Sequence, residues 1–188
     1  MTKDCSRCPA IRRRDLLKLG AAGAAAGVIG MPAVLRAQTR TVKVGVLEPL
    51  TGNLAYNGTQ ARAGAQFAID AINAAGGIKS MGGAKLEAVV ADAQSRPDVA
   101  AAAVDTLAQA NVVAFIGCQA SALGLASSQA AARYGLAQVF DVGTSEQVVS
   151  RGLENVFRFT PGVNKCTSTA LTNLKSLNAA AGNPVKTA

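Results

Sequence analysis

Two kinds of segment, each with its own pattern of apolar residues, alternate along residues 41–180. Five short segments are continuously apolar or β-branched, as expected of strands that are buried on both faces of a sheet. Between them, apolar residues recur every three or four positions, which predicts helices. The predicted strands are residues 41–47, 85–91, 112–116, 136–142 and 156–160. The predicted helices are residues 58–75, a segment that starts at Pro97, residues 123–134 and residues 164–180.

This alternation predicts an α/β fold, a Rossmann-like doubly wound parallel sheet. Such sheets bind ligands beyond the carboxyl ends of their strands. Three loops leave those ends here, at residues 48–58, 117–122 and 141–145, and they are rich in Gly, Ser, Thr and Asn. Ser121 and Thr144 each offer a hydroxyl beside a backbone amide, which suits an anionic ligand. Helix capping by these residues is the alternative interpretation.

The first 37 residues have the order of an export signal. Three arginines, residues 12–14, precede a charge-free run at residues 19–35, and Ala37 offers a small residue for cleavage. The segment from Arg13 to Lys18 resembles a twin-arginine signal, which export machinery reads as an address. The alternatives are an uncleaved anchor or a soluble helix, but the run is short for a ~30 Å hydrocarbon core. We therefore expect cleavage near Ala37 and a periplasmic mature chain.

Charge and composition exclude several functions. The chain has 19 basic and 11 acidic residues, a net charge of +8, but seven of the basic and two of the acidic residues lie in residues 1–37. The remainder has a net charge of +3 without basic runs, so no nucleic-acid partner is predicted. The chain contains no His. This excludes histidine-based triads and histidine metal sites.

No catalytic or cofactor motif is present. The loop after the first strand lacks the G-x-G-x-x-G fingerprint of dinucleotide binding, and the chain has neither a phosphate-binding P-loop nor a G-x-S-x-G elbow. We therefore predict a protein that is not an enzyme and needs no cofactor or metal. Asp92 directly follows a predicted strand, where a structural hydrogen bond is expected.

The four cysteines add little chemistry. Cys5 and Cys8 have C-x-x-C spacing, which can mark a metal or redox site, but they precede the arginines of the signal. Cys118 and Cys166 remain in the mature chain. A disulfide between them is possible in an oxidising compartment, although spacing alone does not establish it. For Cys118 we expect a small buried thiol that lines a pocket.

Several motifs in register resemble one protein family. Residues 44–52 (VGVLEPLTG) and residues 64–78 (GAQFAIDAINAAGGI) resemble the first strand, loop and helix of type I periplasmic binding proteins. The closest branch is the leucine/isoleucine/valine-binding group that serves ABC importers. Further landmarks follow in order at residues 90–95, 115–117 and 151–158, so the resemblance covers about residues 41–165.

The resemblance implies an exported substrate-binding protein whose two lobes close on an amino acid or similar small carboxylate. Residues 1–37 would be the signal, 38–160 the amino-terminal ligand-binding lobe, and 161–188 the first crossover and first helix of a second lobe. The implied partners are the membrane permease of an ABC importer and the twin-arginine export machinery. By position, the implied ligand-binding residues are Tyr56, Cys118, Gln119, Ala120, Ser121, Gly143 and Thr144.

Their implied roles differ. Ser121 and Thr144 would hold the ligand's α-carboxylate and ammonium, Gly143 would present backbone, and Tyr56 would line the side-chain end. Asn164 falls near a crossover contact of the family.

The chain also departs from the family pattern. Gln119 is bulky within a loop that is often Ser-rich, Glu48 stands where an apolar residue is common, and Asp141 stands where Pro is common. A branched-chain ligand therefore does not follow from the resemblance alone. Family members are roughly twice as long as the mature chain, so we expect a fragment whose last helix has no second sheet to cover. The rival interpretations are a ligand-sensing regulatory module of the same fold and a flavodoxin-like enzyme.

Overall fold

A five-stranded parallel sheet organises the part of the chain that the structure describes. The computed structural model describes residues 40–182, and its strands lie in the spatial order β2-β1-β3-β4-β5. The strands are β1 (Thr41–Glu48), β2 (Lys85–Asp92), β3 (Ala114–Ile116), β4 (Ala137–Phe140) and β5 (Val156–Arg158). The helices are α1 (Ala55–Ala74), α2 (Pro97–Gln109), α3 (Ser121–Ala132), α4 (Gln147–Ser150) and α5 (Val163–Ala180), with a 3₁₀ turn at Lys79–Met81. The predicted parallel α/β fold is confirmed.

The strand order reverses next to β1. β1 pairs with β2 along its whole length, from Thr41 opposite Lys85 to Glu48 opposite Asp92. On its other side β1 pairs with β3. The second strand is therefore added on one side of β1, and the third, fourth and fifth strands are added on the other side. Doubly wound sheets bind ligands at such a switch point. Here it lies between the carboxyl ends of β1 and β3.

The two faces of the sheet are covered unequally in the described part of the chain. Right-handed crossovers place α1 on one face and α2 with α3 on the other. The core lies under α2 and α3, where Leu107, Phe115 and Leu123 are buried. Across β4 and β5, Phe140 is buried, whereas Phe157 and Phe159 are 55% and 74% exposed. The α1 side of β5 therefore presents aromatic surface.

Several predicted boundaries were wrong. The three later strands are shorter than predicted, α1 begins at Ala55 rather than residue 58, and α3 spans Ser121–Ala132 rather than residues 123–134. Val112 and Leu136 lie just outside their strands and are only 7% exposed. They are apolar because they pack in the core as connecting residues, not because they pair in the sheet. The four-residue helix α4 was not predicted.

The last helix, α5, makes little use of its apolar residues. None of its 18 residues is buried, and Leu171, Leu174 and Leu177 are each at least half exposed. Cys166 on α5 is also exposed, whereas Cys118 is buried, and both thiols are free. The possible disulfide between them is therefore absent from this structure.

Two sequence features fall outside the described residues: the predicted signal at residues 1–37 and its Cys5–Cys8 pair. Within residues 40–182, no helix combines the length and the apolarity that a membrane crossing needs.

Candidate functional site

The loops after β3 and β4 meet at the start of helix α3. Ser121 is the first residue of α3, and its Oγ accepts a hydrogen bond from the Ser145 amide at 3.3 Å. The first backbone bond at this end of the helix runs from Gly124 N to the Ala120 carbonyl at 3.1 Å, and Ala120 supplies no side-chain cap. The N–H groups before Gly124 are therefore not used by the helix. A helix start of this kind favours an anion such as a carboxylate.

A half-buried arginine holds the loop after β4 in place. Arg158, at the end of β5, has a side chain that is 9% exposed and donates to the carbonyls of Ser145 at 2.9 Å and Thr144 at 3.3 Å. It also donates to Glu146 at 3.1 Å, and Glu146 accepts from the Asn164 amide at 3.0 Å. The Asn164 amide, followed by Arg158, lowers the pKa of Glu146. The backbone beside Thr144 is thus fixed, while Thr144 itself is exposed.

Asp92 fixes the loop after β1. Its Oδ1 accepts hydrogen bonds from the amides of Leu50 at 2.8 Å and Thr51 at 3.2 Å, and its Oδ2 accepts from the Thr51 hydroxyl at 2.7 Å. Burial opposes ionisation of this carboxyl, but these bonds and one from Gln94 lower its pKa below the ordinary value. The structural hydrogen bond expected of Asp92 is confirmed.

A cleft of about 530 Å³ lies between α1 and the loops after β3 and β4. Its wall is largely apolar, with amide side chains from α1 and a carboxyl from the β4 loop. The lining residues are Asn57, Gln60, Ala61, Gly64, Ala65, Ile116, Gln119, Asp141, Val142 and Phe159. Within residues 40–182, no group of three or more acidic or cysteine side chains is arranged to hold a metal ion.

Two carboxyl groups face each other beside this cleft. Glu48, the last residue of β1, is 1% exposed, and its Oε2 accepts a hydrogen bond from the Gln119 amide at 3.0 Å. Asp141 follows β4, and its carboxyl lies close enough to Glu48 to raise the pKa of Glu48. Burial, and then the facing Asp141 carboxylate, raise the pKa of Glu48 to about 9 despite the opposing bond from Gln119. Glu48 therefore keeps its proton at neutral pH.

The loop between β3 and α3 begins with a glycine for a steric reason. Gly117 has φ +124°, a conformation that side chains rarely adopt, and a Cβ there would lie 3.0 Å from Glu48 Oε1. The next residue, Cys118, has its Sγ 3.7 Å from Ser127 Oγ in the core, and burial raises the pKa of this thiol strongly. Such a thiol is inert as a nucleophile at neutral pH.

The predicted site residues occupy different places. Ser121 and the 143–145 loop are brought together, and Gln119 lines the cleft. Ala120 is half-buried, and Gly143 is buried beside Phe140. Cys118 belongs to the core and is absent from the lining of the cleft. Tyr56 is 77% exposed, and its neighbour Asn57 lines the cleft instead.

Sequence reasoning missed the pairing of Glu48 with Asp141 and the role of Arg158. One signal was available for the pair. A glutamate at the end of an otherwise apolar strand is costly to bury unless another group interacts with it, and Glu48 and Asp141 both depart from the family pattern.

Comparison with known proteins shows the family of the chain. Residues 41–179 match the family model described as periplasmic binding protein. The chain belongs to this family. As a periplasmic binding protein, it is similar to curated proteins of the genus Brucella. It is 32% identical over 142 residues to "Leu/Ile/Val-binding protein homolog 3" of Brucella melitensis, covering 76% of this chain and 37% of that protein. It is 34% identical over 140 residues to "Leu/Ile/Val-binding protein homolog 8" of Brucella abortus, covering 74% and 34%.

Solved structures support the same assignment. The substrate-binding protein LivJ of a Streptococcus pneumoniae branched-chain amino acid transporter, solved with isoleucine, superposes with a TM-score of 0.61 at 32% identity. That match covers 65% of this chain and 34% of LivJ. A putative branched-chain amino acid ABC transporter protein from Silicibacter pomeroyi gives a TM-score of 0.65 at 30% identity, covering 75% and 36%. This periplasmic binding protein thus spans about a third of the length of the relatives it matches.

The family resemblance inferred from the motifs is confirmed, including its leucine/isoleucine/valine-binding branch, which the names of the relatives share. The family and its structural neighbours are binding proteins rather than enzymes.

Proposed function

We propose that the chain forms the amino-terminal lobe of an exported substrate-binding protein that captures an amino acid, or a similar small carboxylate, for an ABC importer. The observation that carries this proposal is the meeting of Ser121 with the 143–145 loop at the uncapped start of α3. The relatives' names, which specify branched-chain amino acids, support the ligand class. The partner would be the membrane permease of that importer.

The ligand's carboxylate would occupy the start of α3. There it would accept hydrogen bonds from the Ser121 hydroxyl and from the first N–H groups of the helix, and it would gain from the helix dipole. Thr144 would offer a second hydroxyl on the facing loop, and Gly143 would leave room for the ligand's ammonium to approach the backbone. The hydrogen bonds from Arg158 hold this loop, so little ordering is needed on binding.

Carbon- and amide-detected NMR on the labelled 188-residue chain tests the proposal, since it detects the weak binding expected of one lobe. L-leucine, L-isoleucine and L-valine are titrated into millimolar concentrations, with leucinol as the control ligand because it lacks a carboxylate. We expect leucine to shift the signals of Ser121, Leu123 and Thr144 and leucinol to leave them in place.

Variants make this test specific. Ser121→Ala and Thr144→Val should each weaken leucine binding several-fold, whereas Ser176→Ala, which alters a hydroxyl bonded within α5, should not. The absence of any site-specific shift with leucine, isoleucine, valine and a wider set of amino acids would refute the proposal.

We also infer that residues 1–37 direct export by the twin-arginine route and are cleaved near Ala37. The supporting pattern is Arg13 and Arg14 before a weakly apolar run. The double variant Arg13→Lys/Arg14→Lys keeps the charge and should retain the precursor inside the cell. Arg12→Lys is the matched control and should be exported. Intact mass of the periplasmic protein identifies the cleavage site, and export of the double variant would contradict the twin-arginine route.

A further inference from the structure

The Glu48–Asp141 pair joins the three strand ends that surround the candidate ligand site. Glu48 ends β1, the Gln119 amide that it binds lies in the loop after β3, and Asp141 begins the loop after β4. One buried carboxyl group thus contacts both loops that supply the proposed ligand contacts, Ser121 and Thr144.

The hydrogen bonding of Asp141 requires a proton on this pair. Both Asp141 oxygens are buried, and neither has a hydrogen-bond partner among the described residues. Two buried carboxylates side by side repel each other, and each has lost its hydration. A single proton removes both costs, because protonated Glu48 becomes the donor that Asp141 lacks.

We propose that Glu48 and Asp141 are positioning residues that share one proton, and that this proton holds the loops after β3 and β4 at the spacing needed for ligand binding. The effect of this proton on ligand binding rests on the proposed function, whereas its effect on the positions of the two loops does not. Loss of the proton separates the two loops and weakens the contact between Ser121 and Ser145.

The surroundings of the pair support this assignment. The titratable groups that face Glu48 are Asp141 and the Cys118 thiol, and the charges of Glu48 and Asp141 both raise the pKa of that thiol. Asp92 is opposite Glu48 in the sheet, but it directs its carboxylate to the loop after β1. The α1 side chains that line the cleft are uncharged, and the described residues lining it include no lysine or arginine. Among the described residues that line the cleft, no cation competes with the proton.

The effect of the proton on the loops is tested without a ligand. Carbon-detected NMR of the 188-residue chain follows the carboxyl carbon of Glu48 and the backbone carbons of Ser121 and Ser145 from neutral to alkaline pH. We expect Glu48 to titrate with a midpoint of about 9 and the loop carbons to move with the same midpoint.

Three variants test whether the proton on Glu48 causes the change in the loops. Glu48→Gln keeps a donor for Asp141 and should abolish the loop transition. Glu87→Gln, at an exposed position of β2, should leave it unchanged. Asp141→Asn removes the charge that faces Glu48 and should therefore lower the Glu48 midpoint. This variant tests the inference if Glu48→Gln does not fold. A Glu48 midpoint near its ordinary value, or loop carbons that stay flat through the titration of Glu48, would overturn the inference.

The effect on ligand binding is tested by measuring the leucine affinity of wild type and of Glu48→Gln at each pH. The ratio of the two affinities cancels the titration of leucine's own ammonium. We expect the wild type to weaken at least several-fold relative to the variant as pH rises through the Glu48 midpoint. A constant ratio would contradict the positioning role. If neither protein binds leucine or any other amino acid, the proposed function fails, and the carbon shifts still decide whether the pair positions the loops.

Discussion

The shared proton also makes the stability of the chain depend on pH in an unusual direction. The pKa of Glu48 rises from an ordinary 4.5 to about 9 on folding, so near neutral pH the folded chain holds a proton that the unfolded chain has released. The stabilisation from this group is complete below 4.5 and is lost as pH rises through 9. We therefore predict that the free energy of unfolding falls steadily across the neutral range.

The magnitude follows from linkage. One proton corresponds to a slope of ~1.4 kcal/mol per pH unit, so between about pH 6 and pH 8 the chain should lose up to about 3 kcal/mol. The sequence contains no His to titrate there, and burial of the Cys118 thiol raises its pKa, which lowers stability only near and above its ordinary value of 9.0. Asp92, Asp98 and Glu146 have lowered pKa values and act only in the acid range, below their ordinary values of 3.8 to 4.5.

Urea unfolding followed by far-UV circular dichroism measures the effect. Wild type and Glu48→Gln are compared across the neutral range, with Glu87→Gln as the control for the same change at an exposed strand position. We expect the slope in wild type and the control and a nearly flat profile in Glu48→Gln. A wild-type stability that is constant or rises with pH would refute the assignment of the proton to Glu48.

The remaining predictions concern packing, loop structure and thiol chemistry. Gly58→Ala should destabilise the chain by about 1–3 kcal/mol in urea unfolding, because its Cβ would overlap a backbone carbonyl of the preceding loop. The Cβ added by Gly64→Ala in the same helix meets no atom within 4 Å, so this variant should stabilise the chain by up to ~1 kcal/mol. Equal effects of the Gly58 and Gly64 variants on stability would contradict this steric explanation. Asp92→Ala should cost about 2 kcal/mol in the same assay because loop amides lose their acceptor, and unchanged stability would argue against that role. Iodoacetamide should modify Cys166 in the native chain and Cys118 only in urea, as read by peptide mass mapping; native labelling of Cys118 would contradict its burial.

Much of the fold was predictable because its signals are local. Strands buried on both faces are continuously apolar, and the helices between them repeat every three or four residues, so the order of elements could be inferred before any contact was known. The strand ends were less predictable. Val112 and Leu136 are apolar for packing outside the sheet, and nothing in the local pattern distinguishes that from strand pairing.

The candidate site was predictable only in part. Ser121 and Thr144 follow strands, so topology places them at one edge of the sheet. Tyr56 also starts a helix at that edge, but its direction depends on how α1 packs, and it is largely exposed. The bonds from Arg158 to the loop after β4 span 13 and 14 residues along the chain, and they depend on strand pairing that the sequence does not reveal.

The sequence by itself determined the class of protein. A parallel α/β sheet, the absence of imidazole chemistry and a family motif set follow from residue types and spacing, because these are properties of neighbouring positions. Only the tertiary structure decided that Glu48 and Asp141, 93 residues apart, face each other in the interior. Their shared proton depends on burial and distance. Both arise only when β1 and β4 are brought to the same end of the sheet.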